Sequence, residues 1–308
     1  MDHTPVLLHE SIDGLNIRPG GIYVDGTLGR AGHAREILKK LGRGRLIAID
    51  RDRDAIDEAR FALADHKDRM TYAYGNFRDL PEILGKQGVK AVDGMLFDLG
   101  VSSPQLDDTT RGFSYMHNAR LDMRMDKGQA LTAYRIVNEL PEDELRKIFY
   151  EYGEERYSRL IAREIVKRRD SAPIETTFEL SDIIISAIPA AARREPQHPS
   201  KRCFQALRIA VNDELGSIKE LLGAAPLLLR PEGRICVISF HSLEDRLVKK
   251  SFAALARDCS CPKDIPVCVC EKAAIYKLIT RKPVVAGADE IERNTRARSA
   301  KLRIAERL

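Results

Sequence analysis

The chain has 308 residues, of which 44% are hydrophobic and 31% charged, so it is long enough for one large folded domain or two. The net charge of +5 is small, and local clusters of basic residues therefore matter more than the total. The first ten residues lack the features of a signal peptide, and no apolar run approaches the roughly 20 residues of a membrane span. We expect a cytoplasmic protein with no membrane partner.

The stretch from Ile22 to His33 has the pattern of a strand, a glycine turn and the start of a helix. Apolar residues 22–24 end in Asp25, and glycines follow at positions 26, 29 and 32. Residues 34–41 then place apolar side chains at helical spacing. This arrangement is typical of the first strand of an α/β sheet that binds a nucleotide-like ligand at its carboxyl edge. The alternative is an ordinary strand-to-helix turn that binds nothing.

The spacing and charge of this turn favour one kind of ligand. Dinucleotide-binding proteins use G-x-G-x-x-G, whereas this chain has G-x-x-G-x-x-G, which disfavours a nicotinamide oxidoreductase. Asp25 would repel a phosphate but suits a cationic ligand such as the amino-acid part of S-adenosylmethionine. The second predicted strand, residues 45–49, is followed by Asp50, which is placed to accept hydrogen bonds from ribose hydroxyls. Alternatively, Asp50 or Asp52 caps the next helix.

Two further strands complete the predicted pocket. Residues 71–74 lead to Asn76 and Phe77, which could contact an adenine base, although core packing is the commoner role of a phenylalanine. A fourth strand, residues 92–98, ends in Asp98 and leads to Ser102 and Ser103. Because no G-x-S-x-G elbow surrounds the two serines, we interpret them as hydrogen-bonding groups and not as nucleophiles.

The turn after Asp98 resembles the D/N/S-P-P-Y/F/W loop with which amino-methyltransferases hold the exocyclic amine of a base. Gln105 follows Pro104 here, so the aromatic residue that would stack on the base is missing. That departure, together with a long helical region further along the chain, disfavours a DNA amino-methyltransferase, which stays an alternative.

Residues 111–212 contain no predicted strand and read as successive amphipathic helices, including a capping box at Thr176 and Glu179. We predict an α/β domain in two parts, residues 1–110 and 213–308, with residues 111–212 inserted between the fourth and fifth strands as a helical domain. Basic residues cluster at 111–125, 193–202 and 293–301. Any single run is typical of a solvated surface, but several runs around one predicted site favour contact with the phosphate backbone of a nucleic acid.

The last third of the chain predicts a long helix at 204–222, a turn at 231–233 and a fifth strand at 234–240 that ends beside His241. His241 could orient a base or take a proton, and the alternative is a histidine bonded to the backbone near a helix cap formed by Ser242 and Asp245. Two closing strands are predicted at 276–280 and 302–305.

Six cysteines are present, and four of them form two C-x-C pairs within twelve residues: Cys259, Cys261, Cys268 and Cys270. Four thiolates match the ligand count of a structural zinc site, although the usual pair is C-x-x-C. Disulfides are disfavoured in the cytosol. The alternative is a short loop whose thiols bind no metal. Cys203 and Cys236 lie in apolar sequence and are predicted core residues.

Taken together, these motifs resemble the bacterial 16S ribosomal RNA cytosine-N4 methyltransferases of the MraW or RsmH type over nearly the full length. The resemblance rests on segments 3–8, 25–33, 48–52, 98–107, 111–114, 121–125, 152–156, 239–246 and 296–299. It implies an α/β fold, a Rossmann-like class I S-adenosylmethionine-dependent methyltransferase sheet with an inserted all-helical domain. It also implies methylation of a cytosine in the decoding region of small-subunit rRNA.

The resemblance further implies which residues bind S-adenosylmethionine. Carried over by motif, they are Ala31, Gly32, His33, Asp50, Phe77, Asp98 and Gln105. Ala31 stands where the family often has glycine. For the transfer itself we predict that Ser102, Ser103 or a backbone carbonyl of their turn accepts the hydrogens of the amine, and that His241 helps to remove the proton. The alternative from another class is a non-catalytic ribosome-assembly factor that binds RNA and keeps the cofactor fold.

Overall fold

The protein is described here by a computed structural model, which covers residues 5–259, 261, 270 and 272–308 and omits the side chains of Ser103 and Pro104. The chain forms two compact units. The sheet unit comprises Met1–Gly100 and Leu215–Leu308, and the helical unit comprises Val101–Glu214. The sequence placed the boundaries at 111 and 212. The helical unit begins earlier because Val101 and Leu106 pack against its core.

Seven strands of the described residues form one sheet in the order β3-β2-β1-β4-β5-β7-β6. They are β1 (Ile22–Asp25), β2 (Arg45–Asp50), β3 (Met70–Tyr74), β4 (Val92–Asp98), β5 (Leu229–Ser239), β6 (Tyr276–Leu278) and β7 (Lys301–Arg307). Strands β1 to β5 are parallel, and β7 is antiparallel to both of its neighbours. The chain leaves β1 towards β2 and returns to β4 on its other side, which opens a crevice at their carboxyl ends. The predicted Rossmann-like class I fold is confirmed.

The helices follow the predicted order, with different bounds. In chain order they are α1 (Leu8–Gly14), α2 (Gly32–Leu41), α3 (Arg53–Ala62), α4 (Leu80–Lys86), α5 (Ser103–Asp107), α6 (Ala133–Glu139), α7 (Glu142–Gly153), α8 (Ser158–Arg169), α9 (Thr177–Ala187), α10 (Ser200–Asn212), α11 (Glu214–Leu228), α12 (Ser242–Leu255) and α13 (Ala288–Arg293). Within the described residues, no helix is both long and apolar enough to cross a membrane.

The central strands are buried on both faces, which explains their nearly continuous apolar sequence. In β2, residues 46–49 are buried, and Asp50 is the first polar residue after them. The apolar faces of the sheet unit form two clusters of buried side chains, which include Val24, Ile47 and Phe97 in one and Leu46, Ala48 and Leu96 in the other. A polar residue at a strand end therefore marks the point where the backbone leaves the core.

Two predicted elements of the second half differ from the structure. The single helix predicted at 204–222 is two helices, α10 and α11, which break at Asp213 with a φ of 44° in the left-handed region. The turn predicted at 231–233 coincides with a bulge inside β5. There the pairing passes from Leu229 to Arg234 while β4 advances only from Val92 to Gly94, and Glu232 has a φ of 62°. Periodicity alone gives no signal for the break at Asp213, since a single left-handed residue leaves the apolar pattern almost unchanged.

The helical unit has its own core, to which α6 to α10 all contribute; it includes Val137, Phe149, Ile161, Leu180 and Phe204. The predicted capping box of α9 is present, because the Thr176 hydroxyl accepts from the Glu179 N–H while the Glu179 carboxylate accepts from the Thr176 N–H.

Candidate active site

Three carboxylates stand at the carboxyl edge of the sheet. Asp25 ends β1, Asp50 ends β2 and Asp98 ends β4. Since β1 pairs with both β2 and β4, the three strand ends are neighbours. The sequence singled out all three residues, and the topology brings them to one crevice.

Asp25 is almost completely buried. Its Oδ1 accepts a hydrogen bond from the Thr27 N–H at 3.2 Å, and the Thr27 hydroxyl in turn accepts from the Asp98 N–H at 2.6 Å. Oδ2 of Asp25 is buried with no hydrogen-bond partner among the described residues. Burial raises the pKa of Asp25 to about 7, and the nearby charge of Asp50 adds to the effect.

Asp50 ties the glycine turn to the turn after β2. Its Oδ2 accepts from the Gly29 N–H at 2.8 Å, and its Oδ1 accepts from the Asp52 N–H at 2.9 Å. Asp52 is the cap of α3 and accepts from the Asp54 N–H, which is one of the predicted arrangements. Each Asp50 oxygen keeps a second lone pair, so the carboxylate can still accept from the hydroxyls of a ligand.

Among the three carboxylates, Asp98 has the negative charge that the surrounding residues offset least. Its side chain is 26% exposed, but Oδ1 is buried with no hydrogen-bond partner among the described residues. Burial raises its pKa to about 8, and the charges of Asp25 and Glu244 push in the same direction. Buried carboxylates without a cation are costly, and a positively charged ligand would offset that cost. The three carboxylates therefore fit S-adenosylmethionine, which carries a positively charged sulfonium and ammonium group.

His33 does not supply that positive charge. It is buried, with Nε2 3.1 Å from the Val6 carbonyl and Nδ1 3.9 Å from Oδ2 of Asp98. Burial lowers its pKa to about 4, so the ring is neutral at pH 7. The Nε2–H donates to Val6 and thereby holds the amino-terminal segment on the glycine turn.

The glycines of the turn have different roles, and the sequence predicted only one of them, a turn that binds a ligand. A Cβ at Gly26 would collide with the Phe97 ring, and a Cβ at Gly32 would collide with Pro5. These two glycines make room for the protein itself, whereas Gly29 adopts a φ of 48°. Ala31, which precedes α2, has a φ of 60°, a conformation that costs a non-glycine residue roughly 1–2 kcal/mol. That cost explains why glycine is the easier residue at this position.

Phe77 and Asn76 follow β3, as predicted, but Asn76 is committed to the protein. Its Nδ2 donates to the Ser217 hydroxyl at 2.9 Å, and its Oδ1 accepts from the Arg78 N–H at 3.2 Å. Phe77 packs edge-on against Phe97 with ring centroids 5.7 Å apart and is only half-buried. Phe77 is therefore the residue of this pair that keeps an exposed aromatic surface.

Gln105 and the serine turn, which follow Asp98 in the sequence, belong to the helical unit. Gln105 is buried, and its Oε1 accepts from the Ser102 N–H at 3.1 Å, so it shapes the serine turn. The sequence pattern alone indicates only a turn residue at Gln105, and the family resemblance is what assigns Gln105 to the cofactor. The side chain of Ser103 lies outside the described residues.

His241 is the cap of α12, a position that the sequence assigned to Ser242 and Asp245. Its Nδ1 lies 3.5 Å from the Glu244 N–H, and its Nε2 lies 3.2 Å from Oε1 of Glu244. Oε2 of Glu244 accepts from the N–H groups of Phe240 and His241, which completes a capping box. Asp245 instead pairs with Arg303.

The role of Glu244 in this capping box was not predicted from the sequence, and its side chain is completely buried there. The signal was present in the sequence. A polar residue at the end of a strand, followed three residues later by glutamate and then by an apolar helix, has the spacing of a capping box.

Several arginines of the predicted basic runs are bound within the helical unit. Arg111 is buried and donates to the carbonyls of Arg124 and Met125. Arg124 forms a two-pronged ion pair with Asp122. Arg193 donates to two backbone carbonyls near the end of α9. Those contacts stabilise the fold, although Arg193 itself is exposed. Arg194, Lys201 and Arg202 of the 193–202 run are exposed too, and Arg202 makes a 3.5 Å contact with the Glu154 carbonyl.

Comparison with known proteins places the chain in a family. The model of the MraW methylase family matches residues 1–308. A protein of Paenibacillus sp. (strain JDR-2) named ribosomal RNA small subunit methyltransferase H is 56% identical, over 99% of this chain and 99% of its own length. A Brevibacillus brevis protein of the same name is 55% identical, over 99% of this chain and 98% of its own.

Among solved structures, an rRNA methylase from Streptococcus thermophilus is 10% identical and superposes with a TM-score of 0.45 over 100% of this chain and 99% of its own. This chain belongs to the MraW methylase family and is a methyltransferase whose cofactor is S-adenosylmethionine.

Proposed function

We propose that this methyltransferase modifies N4 of one cytosine in the decoding region of 16S rRNA. The observation that carries the proposal is the match of the MraW methylase family to the whole chain, together with relatives at 55–56% identity that are named ribosomal RNA small subunit methyltransferase H. A cytoplasmic location and a partnership with the small ribosomal subunit are part of the same proposal.

The cofactor supplies an electrophilic methyl group when it is bound. For its binding we propose Asp50 towards the ribose hydroxyls and Phe77 against the adenine, with Asp98 facing the positive charge. Ala31, Gly32 and His33 line the first turn, and Gln105 completes the set. The buried carboxylate oxygens of Asp25 and Asp98 support this assignment, because they fit a cation better than any neutral or anionic ligand.

The amine of cytosine is a weak nucleophile because its lone pair is delocalised into the ring. We propose that the turn at Ser102 and Ser103 holds this amine and accepts its hydrogens, which raises the electron density on nitrogen and orients it for attack. The base must be unstacked or single-stranded to reach such a turn. A Ser103→Ala variant with unchanged turnover would remove that serine from the proposal.

The sequence leaves two roles open for His241, removal of the proton and a place at the helix cap, and its contacts with Glu244 support the cap. Nδ1 accepts from the Glu244 N–H, so that nitrogen is occupied in the cap, while Nε2 lies 3.2 Å from Oε1 of Glu244 without a hydrogen bond between the two atoms. The ring must therefore leave the cap before Nδ1 can take a proton. Asparagine is also a good helix cap. We therefore expect His241→Asn to keep turnover within about threefold, a change of less than 1 kcal/mol in the barrier.

The readout for His241→Asn is single-turnover methyl transfer, with the unfolding temperature as the control for the cap. His241→Ala removes both roles and serves as the matched comparison. A loss of more than about 100-fold in His241→Asn, with unchanged unfolding, would instead assign proton removal to the histidine.

The deciding experiment uses labelled S-adenosylmethionine with small subunits from cells that lack this gene, beside naked 16S rRNA and DNA. We expect label in a single cytosine of the small subunit or its rRNA, identified by nuclease mapping as N4-methylcytidine. Label in another nucleotide or atom would overturn the cytosine-N4 assignment. Label in DNA would favour the DNA amino-methyltransferase. No label in any acceptor, with cofactor binding confirmed by calorimetry, would favour the assembly factor.

A further inference from the structure

Three cysteines of the sheet unit converge at a place that the transfer reaction does not use. The Sγ atoms of Cys259, Cys261 and Cys270 all lie within 4.8 Å of one another, and all three residues are partly buried. We propose that these thiols form a structural zinc site.

The spacing of the sulfur atoms supports a metal. Zinc binds thiolates at about 2.3 Å in a tetrahedron, which places two ligand sulfurs about 3.8 Å apart. The Sγ atoms of Cys259 and Cys270 are 3.9 Å apart, although the two residues are eleven positions apart in sequence. The distance therefore reflects how the chain folds and not simple proximity along it.

A backbone N–H group near the thiols can stabilise a negatively charged Cys259 sulfur. The Cys261 N–H donates to Sγ of Cys259 at 3.4 Å. Hydrogen bonds of this kind stabilise thiolates and orient them towards a metal. Zinc is the metal we propose, because thiolates are soft ligands and structural zinc sites are tetrahedral and rich in cysteine. Cys268, the fourth cysteine of the predicted set, lies outside the described residues.

The position of the cluster suggests what the metal does. Cys259 follows α12 by four residues, and the chain returns at Ile275, whose N–H donates to the carbonyl of Leu255 at the end of that helix. A metal held by Cys259, Cys261 and Cys270 would close the connection between α12 and β6. Metal-binding free energy would then contribute to folding stability.

The test measures metal content and thiol ligation in the full-length protein. Zinc is quantified by mass spectrometry after purification without chelators, and we expect about one Zn²⁺ per chain. Cys261→Ser and Cys270→Ser should retain less than about a third of that amount. Asp258→Asn is the matched control, because Asp258 is exposed beside Cys259 and has no thiol, and it should retain all the zinc.

A second measurement uses only the wild-type protein, so its result does not depend on whether the cysteine variants fold. Metal-free wild-type protein is titrated with Co²⁺, which reports thiolate ligation by near-ultraviolet charge-transfer bands and a tetrahedral geometry by intense visible bands. We expect both, saturating at about one equivalent.

Three outcomes would overturn the proposal. They are wild-type protein that holds no zinc and gives no cobalt bands, cysteine variants that keep the wild-type zinc content, and a Cys259–Cys270 disulfide in freshly purified protein. A different soft metal bound in place of zinc, with the same loss in the cysteine variants, would support the site and overturn the choice of metal.

Discussion

At the scale of single residues, Asp98 is where charge and burial are most poorly matched. We predict that Asp98→Asn weakens S-adenosylmethionine binding at least about tenfold, which corresponds to 1.4 kcal/mol, because the variant removes the negative charge that faces the cationic ligand. Calorimetric titration measures the effect. Asp57→Asn removes an exposed carboxylate of α3 and should bind like the wild type. Equal affinity in the two variants would exclude Asp98 from the cofactor site.

The raised pKa values of Asp98, about 8, and Asp25, about 7, predict a pH dependence at the same scale. Each carboxyl group holds its proton more firmly in the folded protein than in the unfolded chain. Its contribution to stability is therefore greatest in acid and is lost as the pH rises through the folded pKa. We predict that ligand-free Asp98→Asn becomes more stable relative to wild type as the pH rises from about 5 to about 9.

Affinity for S-adenosylmethionine should follow the opposite trend in the wild type. A cation binds the ionised carboxylates, so wild-type affinity should increase over this pH window, and Asp98→Asn should flatten the increase. Denaturant titrations and calorimetry at several pH values measure both effects. A stability difference and an affinity that do not change with pH would show that these carboxyl groups do not titrate in this window.

At the scale of elements, the close packing of the glycine turn against β4 makes a specific prediction. Gly26→Ala should destabilise the protein by about 1–3 kcal/mol, because its methyl group meets the rigid Phe97 ring in the core. Gly223 is the matched control: it lies within α11, is exposed, and has no described neighbour within 4 Å of the position that an added methyl group would take. Gly223→Ala should stabilise the protein by up to about 1 kcal/mol. Chemical denaturation measures both, and destabilisation by the two variants alike would contradict the packing argument.

At the scale of the whole molecule, six of the seven proposed cofactor residues lie in the sheet unit, and exposed basic residues lie in the helical unit. We predict that replacing Arg194, Lys201 and Arg202 together by alanine weakens RNA binding and lowers the salt dependence of log K by about two. S-adenosylmethionine affinity should not change. Replacing Arg163, Lys167 and Arg168 of α8 removes the same charge from the same unit and is the control.

Filter binding at several salt concentrations measures the RNA effect. An equal loss with both triple variants would indicate that only net charge matters, and the 193–202 run would no longer be assigned to RNA contact.

The sequence by itself determined the parallel strands and the carboxylates at their ends. Buried parallel strands are continuous apolar runs in the sequence. The first polar residue after each run, such as Asp50 or Asp98, can therefore be recognised from the sequence alone. The capping boxes are equally local, and that at Thr176 was predicted correctly. The missed cap at His241 and Glu244 has the same spacing, so it too was within reach of the sequence.

Only the tertiary structure decided how the side chains are used, because that depends on neighbours far away in sequence. Arg111 and Arg193 look like RNA-binding residues in the sequence but donate to backbone carbonyls in the fold. Gly26 and Gly32 look like ligand-binding glycines but leave room for Phe97 and Pro5. The break at Asp213 depends on a single backbone conformation, to which hydrophobic periodicity is insensitive. A local pattern thus fixes which element forms, and long-range packing fixes what each side chain contacts.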